Sequence, residues 1–248
     1  MIARVGAIWR HPIKAHGRER VDRVTVAEGS TIPWDRRWAV AHEASSAPDT
    51  GWSPCPNFTR AAKAPQLMAI SATSDMGRGT VTLRHPARPD LTFDPDAEAA
   101  EFLDWVRPLM PENRAAPARI VRQTDRGLTD SDFASISLVN RASHADFSRS
   151  MGRDLDVLRW RGNIVLDGLD PWAEAGWIGK TLQIGTAQLC VREPITRCLA
   201  TTANPNTGER DADTLGALKS YRGNHEFGVC AIVTQGGEIA VGDSVEPL

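Results

Sequence analysis

The chain lacks a charge excess, a long apolar run and any paired-cysteine motif, and each absence removes a class of protein. Its 29 Lys and Arg against 31 Asp and Glu leave a formal charge of −2. Nothing global therefore attracts nucleic acid or an anionic membrane, and any anion site must be local. No stretch of about 18 apolar residues occurs. The start, Met1-Ile2-Ala3-Arg4-Val5, has neither the charged opening nor the apolar segment of a secretory leader. The expectation is a soluble, cytoplasmic protein that engages no membrane and no nucleic acid. Cys55, Cys190, Cys198 and Cys230 are scattered without a CxxC pair, against both a disulfide framework and a structural zinc site. The absence of GxGxxG after a strand, GxxxxGKS/T, GxSxG and HExxH removes the commonest nucleotide, serine-hydrolase and zinc-protease readings.

What is present reads as strands and turns. Short β-like runs span 5–9, 21–26, 38–41, 67–72 and 80–83, the last alternating Val81 and Leu83 with threonine. Phe102, Val106 and Leu109 share a helical face behind Asp94-Pro95, which predicts a helix over about 95–110. Pro108, Pro111 and Pro117 then puncture the chain, and the division expected there separates residues 1–112 from 113–248. Beyond it the patterns predict strands at 136–139, 163–166, 181–184, 188–191 and 229–233. A helix is expected from Ser143, capped by its own hydroxyl and ended by Gly152, and another over 213–221. Gln235-Gly236-Gly237 reads as a hairpin turn into 238–241, because glycine tolerates positive φ. Many short strands with few helices indicate a β-rich α+β fold, a barrel with peripheral helices.

Cys198 sits beside Arg197 at a strand end, where a neighbouring cation lowers a thiol's pKa, and the thiolate is the form that binds metals. A packed, inert cysteine is the alternative reading. Arginines gather at strand ends, at Arg36, Arg37, Arg60, Arg159, Arg161, Arg197 and Arg222, and their planar forks suit phosphate recognition if they converge. Lys14 lies in His11-Pro12-Ile13-Lys14-Ala15-His16-Gly17, a turn able to present an ammonium. His11 and His16, five apart, do not share a helical face and read as solvated loop histidines.

Several segments together resemble one family. His11-Pro12-Ile13-Lys14 and Asp35-Arg36-Arg37-Trp38 resemble the YPxKS and DRxW elements of the N-terminal β-barrel domain that accompanies the molybdenum cofactor sulfurase C-terminal (MOSC) domain. Arg161-Gly162-Asn163-Ile164-Val165 resembles the RPNI/LV element of that domain. Thr196-Arg197-Cys198-Leu199-Ala200-Thr201-Thr202, continuing through Asn204-Pro205-Asn206-Thr207-Gly208, is similar to RCxxTTxDPxTG. Leu218-Lys219-Ser220-Tyr221-Arg222 is similar to LxxLKxYR. The blocks span nearly the whole chain in the family's order, closest to its amidoxime-reducing branch.

The resemblance implies a MOSC β-barrel with peripheral helices plus a smaller N-terminal β-barrel-like domain. It implies a molybdenum cofactor whose metal is held by Cys198, the catalytic residue. Lys14, Arg36, Thr196 and Arg197 become pterin or phosphate contacts, and Arg161 with Asn163 the pocket wall. Ala15 stands where the family has serine, and Gly162 where it has proline, loosening that turn. Asp132-Phe133-Ala134-Ser135 occupies a DxSP-like loop, where Ser135 or backbone groups near Ala134 would serve. The implied reaction reduces small N-hydroxylated substrates. No iron–sulfur ligand pattern accompanies it, so electrons come from a separate redox protein. The rival reading is a sulfur carrier holding a persulfide on Cys198, and a module that stores the cofactor is a third.

Overall fold

The computed structural model describes residues 3–123 and 126–248, so Met1, Ile2, Thr124 and Asp125 lie outside the described residues. In chain order the elements are β1 (Ala3–Arg10), β2 (Glu19–Val21), β3 (Arg23–Val26), β4 (Trp38–His42), β5 (Ser71–Asp75), β6 (Thr80–His85), β7 (Arg88–Phe93) and α1 (Ala99–Val106). The second half adds β8 (Pro117–Arg122), β9 (Ile136–Asn140), α2 (Arg141–Ser150), β10 (Ile164–Asp167), β11 (Thr181–Ile184) and β12 (Ala187–Thr196). It ends with α3 (Thr214–Arg222), β13 (Glu226–Gln235), β14 (Gly237–Ala240) and β15 (Ser244–Pro247).

Seven strands close into a barrel in the order β10-β9-β13-β12-β11-β15-β1, with β1 returning to β10 and β2 hydrogen-bonded outside it to β1. Period-two patterning closes it. Ile136 and Leu138, Ile164 and Leu166, Leu182 and Ile184, and Val229, Ala231 and Val233 all enter one buried core. The intervening residues face outward, where α2 and α3 pack against a second cluster containing Val139, Phe147, Trp160, Leu218 and Phe227. The Trp160 and Phe227 rings stack there at 3.8 Å between centroids. A smaller β lobe, the sheet β5-β6-β7 backed by α1, has its own core around Trp38, Met68, Leu83, Phe93 and Phe102.

Local chemistry moves several expected boundaries. Pro65 starts a 3-10 turn over Pro65–Ala69, so the strand expected at 67–72 begins at Ser71 instead. Asp94 accepts from the Asp96 N–H at 2.8 Å, yet the α-helix proper is Ala99–Val106, with Arg107–Leu109 tightened into 3-10 geometry around Pro108. Asn140, not Ser143, caps α2 by accepting from Ala142 N. Ser143 instead lies buried one turn inside, donating to Glu174 at 2.8 Å.

The expected hairpin does not form: β14 pairs with β3, not with β13. Gly236 and Gly237 both have ordinary negative-side backbones, and what they supply is closeness. A Cβ on Gly237 would lie 2.5 Å from the Thr186 carbonyl carbon, and one on Gly236 would lie 2.9 Å from Val26 O.

Candidate functional site

A cavity of about 360 Å³ opens between the barrel and the smaller lobe. Five of the segments that line it carry the residues expected from the sequence. The β1–β2 connection brings Lys14 and Ala15, and the loop before β4 brings Arg36. Ser135 arrives just before β9, Arg161 and Asn163 just before β10, and Thr196, Arg197 and Cys198 at the end of β12. Ala134, expected with them, is buried beside Ser135 and does not line the cavity. Arg60 and Arg159 also reach it. Arg37 rests instead against Trp34 and Trp38, 5.8 Å and 5.5 Å from their ring centroids, and Arg222 lies 4.2 Å over the Trp172 ring.

Three of the lining residues hold left-handed backbones that side chains normally avoid: Ala15 at φ 66°, Arg36 at φ 51° and Arg161 at φ 48°. Each such residue costs on the order of 1–3 kcal/mol, a cost that surrounding contacts must offset. The offsets are visible. Arg36 N donates to His11 O at 2.6 Å, and its carbonyl accepts from Leu128 N at 2.7 Å. Arg161 closes the 3-10 turn Val157–Trp160. Gly162 is not a loose joint, because an added Cβ would lie 2.5 Å from Val139 Cγ2.

The guanidinium groups are fixed from behind. Arg36 binds the buried Asp35 carboxylate and reaches Asn163 Oδ1 at 3.4 Å and Arg161 O at 3.3 Å. Asn163 is itself engaged at both ends: its Oδ1 accepts from Ser137 N and Oγ, and its Nδ2 donates to Trp9 O at 3.1 Å. It acts as a clamp between β1 and β9. Arg197 donates to Phe227 O at 2.8 Å and Trp160 O at 2.7 Å, lying over the Trp160 ring. Arg161 Nη1 and Arg197 Nη2 are buried with no partner. Burial pushes Arg161 down to about 9 and Arg197 down to about 10. Both side chains line the cavity together with Lys14 and Arg36, so charged donors are concentrated along its wall.

Lys14 is buried, and its Nζ lies 2.6 Å from both Leu128 O and Asp130 Oδ1. Burial lowers its pKa, and Asp130 works against that shift. The adjacent histidines are not solvated, as the sequence suggested. His11 and His16 are wholly enclosed, His11 against Asp35 and His16 against Lys14 O and Thr59. Burial first, and then the neighbouring Arg161, lower His11 to about 3 and His16 to about 4.

A base whose folded pKa is depressed binds protons more readily when unfolded. Its stabilisation is therefore complete above the unfolded value of about 6.5 and is lost as pH falls toward the folded values. Urea unfolding at about pH 5 is expected to show a loss of about 2 kcal/mol per histidine relative to neutral pH. His16→Gln should remove its share of that slope, and a flat profile between pH 7 and 5 would refute the assignment.

Cys198 is solvent-exposed, whereas Cys55, Cys190 and Cys230 are half-buried. Its backbone is extended and starts the 3-10 turn Leu199–Thr202, whose Thr201 N–H and Oγ1 both donate to the Cys198 carbonyl. That turn stops β12 and leaves the thiol at the cavity wall. Sequence reasoning passed over Cys55, Asp130, Ser137 and Cys230, which also line it. Ser135 and Ser137 alternate with Ile136, a period-two signal that was available. Cys230, the register partner of Ser137, was hidden because cysteine reads as apolar inside Val-Cys-Ala-Ile-Val.

Fold and cavity together define a closed β-barrel that presents an accessible thiol beside a guanidinium cradle. The chain belongs to the MOSC family. The MOSC domain matches residues 125–246 and the MOSC N-terminal beta barrel domain matches residues 2–129. Mouse mitochondrial amidoxime-reducing component 1 is 32% identical over 257 residues, covering 89% of this chain and 72% of the mouse protein. The human protein of that name is 32% identical over 156 residues, 58% of this chain and 44% of the human one. A molybdenum cofactor sulfurase of Anopheles gambiae is 33% identical over 120 residues, 44% of this chain, which spans only 15% of that relative. The YUAD protein from Bacillus subtilis superposes over 99% of this chain and 94% of its own, with a TM-score of 0.46 and 12% identity. Among the described residues no helix is long and apolar enough to cross a membrane.

Proposed function

We propose that the protein holds a molybdenum cofactor in this cavity and reduces N-hydroxylated small molecules with electrons from a separate redox protein. The observation that carries the reading is the convergence of Lys14, Arg36, Arg161 and Arg197 on the same cavity as the exposed Cys198. Among the described residues no three His, Cys, Asp or Glu side chains cluster to hold a metal. A metal here would therefore arrive with its own ligands and take one more from the protein, which suits a pterin-bound metal and a single thiolate.

In this reading Cys198 supplies the protein's thiolate, and Arg36, Arg161 and Arg197 hold the pterin and its phosphate, with Thr196, Ser135 and the Ala15 backbone at the rim. Asn163 and Asp35 keep the guanidinium groups aimed. The bound cofactor supplies two-electron oxygen-atom chemistry. The chain's own task is to hold it, tune it through the thiolate and shape the space above it.

The experiment uses protein from a cofactor-competent host, chemically reduced and mixed with a hydroxylamine or amidoxime. Amine or amidine should form without any sulfur donor. Arg36→Ala and Lys14→Ala should each weaken cofactor retention by about 1–3 kcal/mol, read as released pterin. A cyanide-labile sulfur on Cys198, together with no N–O reduction by metallated and reduced protein, would replace this reading with the sulfur carrier.

A further inference from the structure

We propose that the cavity prefers N-hydroxylated substrates that also carry a carboxylate, and that Arg60 is the cation that receives it. This rests on the reductase reading and deepens it by naming a substrate class.

Arg60 differs from the other cations along the cavity wall. Lys14 binds Asp130, Arg36 binds Asp35 and Arg159 binds Asp211. Arg161 and Arg197 donate to the carbonyls of Gly17, Trp160 and Phe227, and in the reading above they hold the pterin and its phosphate. Among the described residues Arg60 pairs with no carboxylate, and its side chain donates only to Cys55 Sγ, at 3.5 Å. A thiol sulfur is a weak acceptor and leaves the charge uncompensated. The Arg60 side chain is half-buried and lines the cavity, and its Nε and Nη2 are neither hydrogen-bonded nor closed off from solvent. The free donors are therefore within reach of a ligand.

The surrounding backbone fixes where this cation stands. Arg60 O accepts from Lys63 N and Ala64 N, both at 2.9 Å, and Ala61 and Ala64 are buried in the core of the smaller lobe. Arg210 ties the segment to the turn that follows Cys198: its Nη2 donates to Ala62 O at 2.8 Å and its Nη1 to Leu199 O at 2.6 Å. One guanidinium thus spans from the residue after Cys198 to the residue two beyond Arg60, which seats the free cation on the Cys198 side of the cavity.

A neutral hydroxylamine or amidoxime leaves Arg60 to water. A substrate carboxylate pairs with it, and no protein carboxylate has to leave first. Because the guanidinium is already half-desolvated, the pairing costs it little further hydration. The pair stays partly solvated, so its worth is that of a screened ion pair and falls as salt is added.

The test uses the cofactor-loaded protein from a competent host, chemically reduced, with benzamidoxime and its 3- and 4-carboxylated forms at low ionic strength. For the better carboxylated isomer, kcat/KM should exceed that of benzamidoxime about fivefold. The ratio should fall toward one in Arg60→Gln or at high salt, and Arg60→Lys should keep part of it. Calorimetric titration of the oxidised, non-reacting protein with the same compounds should show the same preference in affinity. If Arg60→Gln does not fold, the salt dependence of the wild-type ratio and affinities decides the matter. A wild-type ratio of one for both isomers, or a ratio unchanged in Arg60→Gln, overturns the role of Arg60 and leaves the reductase reading standing. Loss of pterin from Arg60→Gln would put Arg60 on the cofactor and overturn the proposal as well. If metallated, reduced protein converts none of the three compounds, the reductase reading itself fails, and this proposal with it.

Discussion

Cys198→Ser is expected to bring N–O reduction down to the uncatalysed background while leaving most of the pterin bound. The reason is a division of labour inside the cavity. A serine hydroxyl is a poor ligand for a thiophilic metal, but the guanidinium groups of Arg36, Arg161 and Arg197 are fixed by Asp35, Asn163, Gly17 and the carbonyls of Trp160 and Phe227, not by the cysteine. Cys198 is exposed, so the substitution opens no cavity and should leave the unfolding midpoint in place. Turnover, released pterin and metal content are measured on the same preparation. Full turnover by the variant would remove Cys198 from the mechanism, and complete loss of pterin would mean that the thiolate, not the cradle, retains the cofactor.

Asp35→Ala is expected to give the largest loss of stability, about 3–5 kcal/mol, the range for removing one partner of a buried ion pair. Asp35 is 1% exposed, accepts from His11 N at 2.8 Å and holds the Arg36 guanidinium. The Arg36 guanidinium beside it keeps the carboxyl well below the usual carboxylate range, although burial alone would raise it. Deleting the carboxylate strands a partly buried cation on a residue whose backbone is already left-handed. The double variant Asp35→Ala/Arg36→Ala should recover part of the loss, which separates the stranded charge from simple loss of packing. Urea unfolding gives both numbers. If Asp35→Ala unfolds with the wild-type midpoint, Asp35 does not anchor Arg36.

Much of the barrel was legible because its signal is local. Ile136-Ser137-Leu138 and Val229-Cys230-Ala231 carry the period-two pattern within a few residues, and both strands formed. The helix near residue 213 was equally legible: Asp213 caps it, accepting from Gly216 N at 2.9 Å, and Gly223 ends it at φ 77°. Reading failed where a residue's role depends on a distant neighbour. Gly236 and Gly237 look like a turn, yet they are small because Val26 and Thr186 pass close by. His11 and His16 look like loop residues, yet Asp35 and Thr59 enclose them.

The same line divides the cavity. Motif resemblance picked out Lys14, Arg36, Arg161, Asn163 and Cys198, and the fold brings the first two together with the other three across a long stretch of chain, as the Arg36–Arg161 contact at a separation of 125 illustrates. Local sequence was enough to show which strands alternate, that a helix follows Asp213, and that a lone cysteine follows an arginine at a strand end. Only the tertiary structure decided that Lys14 is bound to Asp130, that Asn163 is a clamp rather than a free donor, and that Arg161 and Arg197 each keep a buried nitrogen without a partner. Alternation and capping are set by neighbours a few residues away along the chain. Ion pairing and orphaned donors are set by which side chains closure of the barrel places within about 3 Å of one another.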